Sequence, residues 1–252
     1  MSDDVCLDTS DGAVWTITLN RPQAMNAITM SMAARLQEIL ADAATDKNAR
    51  CLVITGAGEG AFSAGFDIKE MADFDNEAMR DAFVQRDPLF KAIALHPLPI
   101  IAAVNGKAFG AGALIAAASD FRIAGPNAEF KVTAVNYGSA NATWSLPRLV
   151  GLSRATHILM TGRIVKASEG LMMGLFDEIA NAAALDAALE LAAQIASKPV
   201  SAIRAIKALT NRSMNRDIDT AWQAEFDHVH EQLSSSDGGG EEIFDTFLSK
   251  KK

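Results

Sequence analysis

Apolar residues first alternate with polar ones and then recur at helical spacing along the chain. Over residues 13–19 they alternate with Thr16 and Thr18, which predicts a half-buried strand at the start of the fold. Over residues 29–45 they recur three and four positions apart, which predicts an amphipathic helix. Residues 52–55 then form a short apolar run that is typical of a buried strand.

Strand and helix patterns continue to alternate through the first half of the chain. The predicted elements are a helix over residues 77–95, a strand over 100–104, a helix over 111–119 and a strand over 121–124. This alternation predicts an α/β fold. Beyond residue 150 the pattern is helical, notably over residues 183–196 and 201–213. Residues 234–240, rich in serine and glycine, separate these helices from a last predicted helix over residues 241–249.

The composition indicates a folded protein and limits its partners. The 252 residues are 49% hydrophobic and 21% charged, which is enough for one large domain with a sizeable core. The net charge is −8. Because nucleic-acid-binding surfaces need clustered Lys and Arg, we expect no nucleic-acid partner.

Neither a membrane span nor a targeting segment is expected. The most apolar region, residues 93–118, is interrupted well short of the ~20 apolar residues that a spanning helix needs. The interrupting residues are Pro97, Pro99, Asn105, Gly106 and Lys107. The chain begins with acidic residues and has no apolar stretch behind them, so we expect a cytoplasmic protein.

The cysteines and histidines give no sign of a metal site. Cys6 and Cys51 form no pattern typical of a disulfide-rich protein and are not spaced like metal ligands. Each is predicted to be a small buried hydrophobic residue. His228 and His230 are two positions apart, which points them to different faces of a helix. We therefore predict no bound metal.

Two glycine-containing loops, residues 56–67 and 105–113, each follow a predicted buried strand. The second loop runs into an apolar helix whose first turn would present unpaired backbone N–H groups. Such a helix start can hold an anion or an oxyanion. The alternative reading is that the small residues only allow the helix to pack tightly in the core.

The first loop also fits a weaker motif. Gly56, Gly58 and Ala61 match the G-x-G-x-x-G/A pattern of a dinucleotide site, and Glu77 follows at about the acidic offset. This pattern would indicate an NAD-dependent oxidoreductase. Against it, Gly65 falls where the phosphate-binding helix should be continuous.

Six segments, taken in order, carry a resemblance to a known family. They are residues 19–27, 62–71, 99–112, 146–151, 159–163 and 203–209. In order and spacing they resemble the signatures of the crotonase superfamily, the enoyl-CoA hydratase/isomerase family. The likeness covers nearly the whole chain.

The resemblance implies a fold, an assembly and a substrate. The fold would be a crotonase-like α/β spiral of repeated ββα units over residues 1–196. A C-terminal helical region, residues 197–252, would build a homotrimer or a dimer of trimers. The substrate would be an acyl-CoA thioester, with coenzyme A as part of the substrate and no separate cofactor.

The resemblance also assigns site residues. The backbone N–H groups of Phe66 and Ala111 would form an oxyanion hole for the thioester carbonyl, although Ala111 stands where the family usually has glycine. The residues expected to line the bound CoA are Gln23, Ala24, Met25, Ala64, Asp67, Ile68 and Lys69. Lys69 is either a phosphate or ribose contact or a solvated surface lysine. Asp67 reads as a carboxylate that fixes the loop rather than one that reacts.

The sequence departs from the family at the catalytic acids. Hydratases of the family use two glutamates, and these positions map onto Leu114 and Ala134 here. No Asp or Glu occurs between Glu129 and Asp177. The polar candidates for an altered site are Tyr137, Ser139 and Asn141, each of which could instead make only loop hydrogen bonds. Hydratase, isomerase or related enolate chemistry stays open, and so does an acyl-CoA-binding homologue without turnover.

Overall fold

The computed structural model describes residues 4–214 and 216–235. The chain divides into two compact units, Met1–Val200 and Ser201–Lys252. None of the helices in the described ranges is both long enough and apolar enough to cross a bilayer.

The first unit combines short strands with helices. Its strands are β1 Val5–Asp8, β2 Val14–Leu19, β3 Cys51–Gly56, β4 Ala61–Ser63, β5 Ile100–Val104, β6 Lys107–Phe109, β7 Phe121–Ala124, β8 Glu129–Lys131, β9 Val165–Lys166 and β10 Glu178–Ile179. Its helices are α1 Met30–Thr45, α2 Ile68–Met71, α3 Asn76–Arg86, α4 Pro88–Ala94, α5 Ala111–Ala118, α6 Leu146–Val150, α7 Leu152–Thr161, α8 Ala167–Met172 and α9 Ala184–Ala196. The α/β class predicted from the sequence is confirmed.

The strands form two sheets, and from β3 to β8 successive strands alternate between them. The larger sheet has the order β1-β2-β3-β5-β7-β10 and the smaller one β4-β6-β8-β9. Pairing is parallel except for β1 with β2 and β8 with β9. The strand pairs β3-β4 and β5-β6 each lead into a helix. This recurrence is the repeated ββα unit that the resemblance implies.

The larger sheet is buried on both faces, as a parallel sheet requires. On one face, Leu52, Ile54 and Ile100 join a large core with residues of α1, α4 and α5. On the other face, Val53 and Ile101 pack with residues of α9. Alternate residues of β3 and β5 thus face opposite layers, which explains why these strands read as continuous apolar runs.

Helix α1 shows how local sequence sets an element. Thr29 is its N-cap, and the threonine hydroxyl accepts a hydrogen bond from the N–H of Met32. Leu36 and Leu40 recur at helical spacing and are buried against the sheet. The predicted helix over residues 29–45 is confirmed to within one residue.

The predicted helix over residues 77–95 is wrong in one respect, because the chain breaks there into α3 and α4 at Asp87. Pro88 has no N–H and opens the second helix, where that group needs no partner. Strand β1 was also not predicted, although it precedes the strand predicted over residues 13–19. The strands of the smaller sheet were missed because two or three residues are too few to show a period.

The second unit holds α10, Val200–Ser213, which begins at the last residue of the first unit, and α11, Ile218–Ser235. The predicted helix over residues 201–213 is therefore confirmed. Of the predicted serine- and glycine-rich break over residues 234–240, Ser234 and Ser235 belong to α11, and residues 236–240 lie outside the described residues. The predicted last helix, residues 241–249, lies outside the described residues.

Candidate active site

The first loop is fixed from within by a fully buried asparagine. The Asn26 side chain accepts a hydrogen bond from the N–H of Arg21 and donates to the carbonyls of Ala57 and Ala61, at 3.0 and 2.8 Å. Its side chain therefore ties residues 21–26 to the loop that follows β3. Sequence reasoning gave Asn26 no role, although its place in the first family segment was a usable signal.

A buried serine continues this network toward Phe66. The Ser63 hydroxyl donates to the carbonyl of Asn26 at 2.8 Å and accepts from the N–H of Gly65 at 3.1 Å. Gly65 has a φ of +106°, a conformation that side-chain-bearing residues rarely adopt. The backbone at Gly65 and Phe66 is thus set by fixed contacts on both sides.

The two glycine-containing loops meet at the start of α5. A Cβ atom on Gly65 would lie 3.2 Å from the backbone nitrogen of Ala111. A Cβ atom on Gly112 would lie 2.5 Å from the carbonyl oxygen of Ser63. Helix α5 therefore begins directly against the first loop, at a distance that only glycine permits.

Two backbone N–H groups at this junction are left unused. Within the described part of the chain, neither Phe66 nor Ala111 donates its N–H in a hydrogen bond. The neighbouring N–H groups of Gly65 and Asp67 do have acceptors, on Ser63 and Ile28. Because a helix start leaves its first N–H groups unpaired, Ala111 offers its donor where α5 meets the loop.

The dinucleotide interpretation fails on this geometry. Ala61 opens strand β4, so the residues after Gly58 form a strand. The motif requires a helix there, because the helix N-terminus holds the pyrophosphate. Among the described residues, no cluster of His, Cys, Asp and Glu could hold a metal ion.

The segments expected to contact CoA lie side by side. The N–H of Ala64 donates to the carbonyl of Met25 at 2.9 Å, which pairs the two segments through their backbones. Gln23 and Lys69 are exposed, and Ile68 is 68% exposed. Ala24 is half-buried in a 3-10 helix over Pro22–Ala24. Most of these side chains therefore form one accessible edge.

Asp67 differs from these exposed residues because it is buried and its carboxylate is hydrogen-bonded. Its carboxylate accepts hydrogen bonds from Arg21 Nη1 at 2.8 Å and from the N–H of Lys69 at 3.0 Å. The Arg21 guanidinium, together with these bonds, holds the pKa of Asp67 below its usual range. These contacts tie the Asp67 carboxylate to Arg21 and to the first turn of α2, and whether Asp67 also contacts CoA stays a prediction.

A cavity of about 180 Å³ lies beside helix α5. Its walls are Asp87, Phe90 and Lys91 at the α3–α4 break, Leu114 of α5, and the loop of residues 140–145. Leu114, which by the resemblance corresponds to the family's first glutamate, is half-buried in this wall. The position therefore supplies apolar surface to the cavity.

Of the three polar candidates from the sequence, one lines this cavity and two do not. Asn141 lines it, together with Thr143 and Ser145. Tyr137 and Ser139 are exposed on the described chain, with Tyr137 74% exposed, and neither lines this cavity. Ala134, which by the resemblance corresponds to the second glutamate, begins a 3-10 helix, Ala134–Tyr137, and its side chain carries no polar group.

Asp87 is the carboxylate in the wall, and sequence reasoning missed it. Its Oδ1 lies 3.5 Å from Nε of Arg86, which is itself buried. Desolvation nevertheless raises the pKa of Asp87, because it outweighs the attraction of that guanidinium. The only sequence signal was Pro88 inside a helical pattern, which marks a break and not an active-site residue.

Arg86 and Phe90 connect the cavity to the first loop. The Arg86 guanidinium lies over the Phe66 ring, 3.8 Å from its centroid, and 4.4 Å from the ring of Phe83. Phe90 meets Phe66 edge-on, with the centroids 6.1 Å apart. These contacts hold the side chain of Phe66 and place the α3–α4 break beside the loop that carries its N–H group.

Comparisons with known proteins agree over nearly the full length. Residues 9–252 match the family model described as enoyl-CoA hydratase/isomerase. Among relatives, the short-chain-enoyl-CoA hydratase of Clostridium acetobutylicum is 34% identical, covering 96% of this chain and 94% of that protein. The 1,2-epoxyphenylacetyl-CoA isomerase of Escherichia coli is 32% identical, covering 94% and 93%. The crystal structure of an enoyl-CoA hydratase from Bacillus anthracis superposes with a TM-score of 0.92 at 31% identity, covering 98% and 97%.

Proposed function

This chain is an enzyme of the enoyl-CoA hydratase/isomerase family, and we propose that it binds an acyl-CoA thioester and stabilises the enolate of its acyl group. The crotonase-like fold expected from the six segments is confirmed by the likeness to a solved enoyl-CoA hydratase. The observation that carries the proposal is the pair of unused N–H groups, on Phe66 and Ala111, at the junction of two contacting loops.

The chemistry follows from where charge develops. Removing a proton from the carbon beside a thioester carbonyl places negative charge on the carbonyl oxygen. Two N–H groups held by a rigid backbone stabilise that charge without having to reorganise, and one such donor is typically worth about 2.7–4 kcal/mol. In this proposal Phe66 and Ala111 are those donors.

The CoA moiety would lie along the accessible edge beside the first loop. Gln23, Met25 and Ile68 offer exposed surface there. Lys69 adds an exposed ammonium, which suits a phosphate group. Coenzyme A enters as part of the substrate, and the proposal requires no separate cofactor.

The departure from the family's glutamates bears on which reaction is catalysed. With Leu114 and Ala134 at those positions, hydration by the two-glutamate route has no acid or base on either residue. Acid-base groups contribute about 10²–10⁴-fold to such reactions. The same observation favours a second candidate function, an acyl-CoA-binding protein that does not turn its ligand over.

A proline at residue 111 tests the proposal directly. Ala111 is the first residue of α5, where proline fits the helix but removes the N–H. We expect Ala111→Pro to bind hexanoyl-CoA in calorimetry but to lower kcat on a panel of enoyl-CoA thioesters by about 10²–10³-fold. Ala111→Gly keeps the N–H and serves as the matched control, with turnover like that of the wild type.

Three results would decide differently. Equal turnover by Ala111→Pro and the wild type, with both folded by thermal melting, would remove Ala111 from the site. Wild-type protein that binds no CoA thioester would overturn the proposal as a whole. Wild-type protein that binds thioesters without turning over any of the panel would support the second candidate function.

A further inference from the structure

The cavity beside α5 contains a carboxylate, although the two positions that correspond to the family's glutamates hold Leu114 and Ala134. Asp87 lines it together with Leu114, the residue at the first glutamate position. Among the lining residues, all of which are described, Asp87 alone carries a carboxyl group. The acid missing from α5 is thus available from the break between α3 and α4.

The position of this cavity relative to the two N–H groups follows from helix geometry and ring contacts. Leu114 lies three residues after Ala111 in α5, about 4.5 Å further along the helix axis. Phe90, on the same side as Asp87, packs on the ring of Phe66. These two relations place the cavity that contains Asp87 next to the elements that carry the N–H groups, and in this proposal the acyl chain of the thioester extends into it.

We propose that Asp87 is the acid-base residue of this site and that it moves a proton between two carbons of a short 3-enoyl-CoA. This inference rests on the function proposed above. It assigns the proton transfer to a residue of the α3–α4 break in place of the two glutamates. The cavity of about 180 Å³ suits a short acyl group, since a ~150 Å³ apolar cavity accommodates a benzene ring.

The proposed reaction needs one carboxylate and no further reactant. The Asp87 carboxylate takes a proton from C2 and becomes a neutral acid. The C–H electron pair forms the enolate, whose negative charge lies on the thioester oxygen. The double bond then shifts as the protonated Asp87 returns its proton to C4. The product is the conjugated 2-enoyl thioester, and Asp87 is again a carboxylate. Hydration would also require a positioned water.

The surroundings of Asp87 suit reversible proton transfer. Arg86 lies beside it and Lys91 lines the same cavity, whereas α5 and the loop of residues 140–145 present uncharged groups. Helix α1 contacts α3 through Gln37, an uncharged residue whose side chain donates to the carbonyl of Gln85. Desolvation raises the pKa of Asp87 despite Arg86, toward the range in which a base is effective near neutral pH.

The test compares Asp87→Asn with the wild type on 3-hexenoyl-CoA, following the absorbance of the conjugated thioester. Asp81→Asn is the matched control, because Asp81 is an exposed aspartate of α3. We expect Asp87→Asn to lose about 10²–10⁴-fold in kcat while its affinity for hexanoyl-CoA changes little. The Asp81→Asn variant should match the wild type in both.

Two further readouts separate proton transfer from a structural role. Wild-type kcat should rise with pH through the pKa of Asp87, since the base must be ionised, and the residual activity of Asp87→Asn should lack this rise. Acetate should partly restore exchange of the C2 proton with D₂O in Asp87→Ala, because it supplies a carboxylate in the space left by the side chain.

The outcomes distinguish this inference from the proposed function. If Asp87→Asn isomerises like the wild type, or if acetate rescues nothing in a folded Asp87→Ala, Asp87 does not transfer the proton, and thioester binding still supports the proposed function. If the wild type binds thioesters but neither isomerises them nor exchanges the C2 proton, the inference also fails. If the wild type binds no thioester, the proposed function itself fails.

Discussion

Two aspartates near the loop junction have pKa values that are shifted in opposite directions. Asp67 is paired with Arg21 at 2.8 Å and caps α2, and these contacts lower its pKa. Asp87 lies in a cavity wall where desolvation raises its pKa. A lowered carboxyl pKa stabilises the folded chain at neutral pH, whereas a raised one costs stability there. The charge of Asp67 therefore stabilises the fold, whereas the charge of Asp87 is kept in the cavity wall at a cost to stability.

This contrast predicts the stability of the variant Asp67→Asn. Losing the charge should lower the free energy of unfolding by about 1–3 kcal/mol at pH 7, because Arg21 Nη1 loses its carboxylate partner and keeps the carbonyl of Ala27. Because the folded-state pKa of Asp67 is lowered, this stabilisation is complete above the ordinary aspartate pKa of about 3.9 and disappears as the pH falls through the lowered pKa.

Urea melts of Asp67→Asn and the wild type, at pH 7 and at pH 3, would measure this difference. Asp73→Asn, at an exposed position of the same region, provides the control and should leave the melts unchanged. A difference between Asp67→Asn and the wild type that stays the same down to the lowest pH would contradict the assignment.

At the residue scale, Phe66 and Ala111 could be named from the sequence because they lie in segments that resemble the family's signatures. Their role as donors to a thioester oxygen stays a prediction. Asp87 carries no local pattern that marks it, since its proximity to Leu114 exists only after α4 packs on α5. Long-range proximity of this kind cannot be derived from one sequence without a family precedent.

At the element scale, the start of α5 depends on its close approach to β4. Gly112→Ala would place a Cβ 2.5 Å from the Ser63 carbonyl oxygen and 2.8 Å from its Cβ. Relieving this overlap must move α5 away from the first loop, and overpacking of this kind costs about 1–3 kcal/mol. We expect lower stability in thermal melts and weaker turnover, because the two N–H groups separate.

Gly60→Ala is the matched control for that prediction. Gly60 lies in the same first loop, but a Cβ there would meet nothing within 4 Å and its φ is not positive. This variant should keep both its melting temperature and its turnover. A Gly112→Ala variant as active as Gly60→Ala would show that the contact between α5 and β4 does not set the site.

The elements themselves were predictable in proportion to their length. Helix α1 is long enough to show a helical period and strand β5 long enough to show an apolar run, and both were found with nearly correct bounds. Strands β4 and β8 have three residues each, so their existence depends on pairing with neighbours and not on local pattern. Pro88 did mark the break between α3 and α4, but the apolar spacing on either side concealed it.

At the scale of the whole molecule, strand pairs divided between two sheets bring distant loops to one place. The loops after β4 and β6 meet because β4 pairs with β6 in the smaller sheet, while β3 pairs with β5 in the larger one. The homotrimer or dimer of trimers implied by the resemblance stays a prediction. In the second unit, α11 exposes Ile218 and a stacked pair, Trp222 and Phe226, which is consistent with such an assembly.

The central claim is that Phe66 and Ala111 hold one thioester oxygen between their N–H groups. A crystal structure of the protein with hexanoyl-CoA, a saturated ligand that cannot be isomerised, tests it most directly. The claim predicts a carbonyl oxygen about 2.7–3.1 Å from both nitrogens, with the acyl chain in the cavity beside Asp87. A thioester carbonyl directed away from either nitrogen, or either N–H bonded to a backbone carbonyl in the complex, would contradict it.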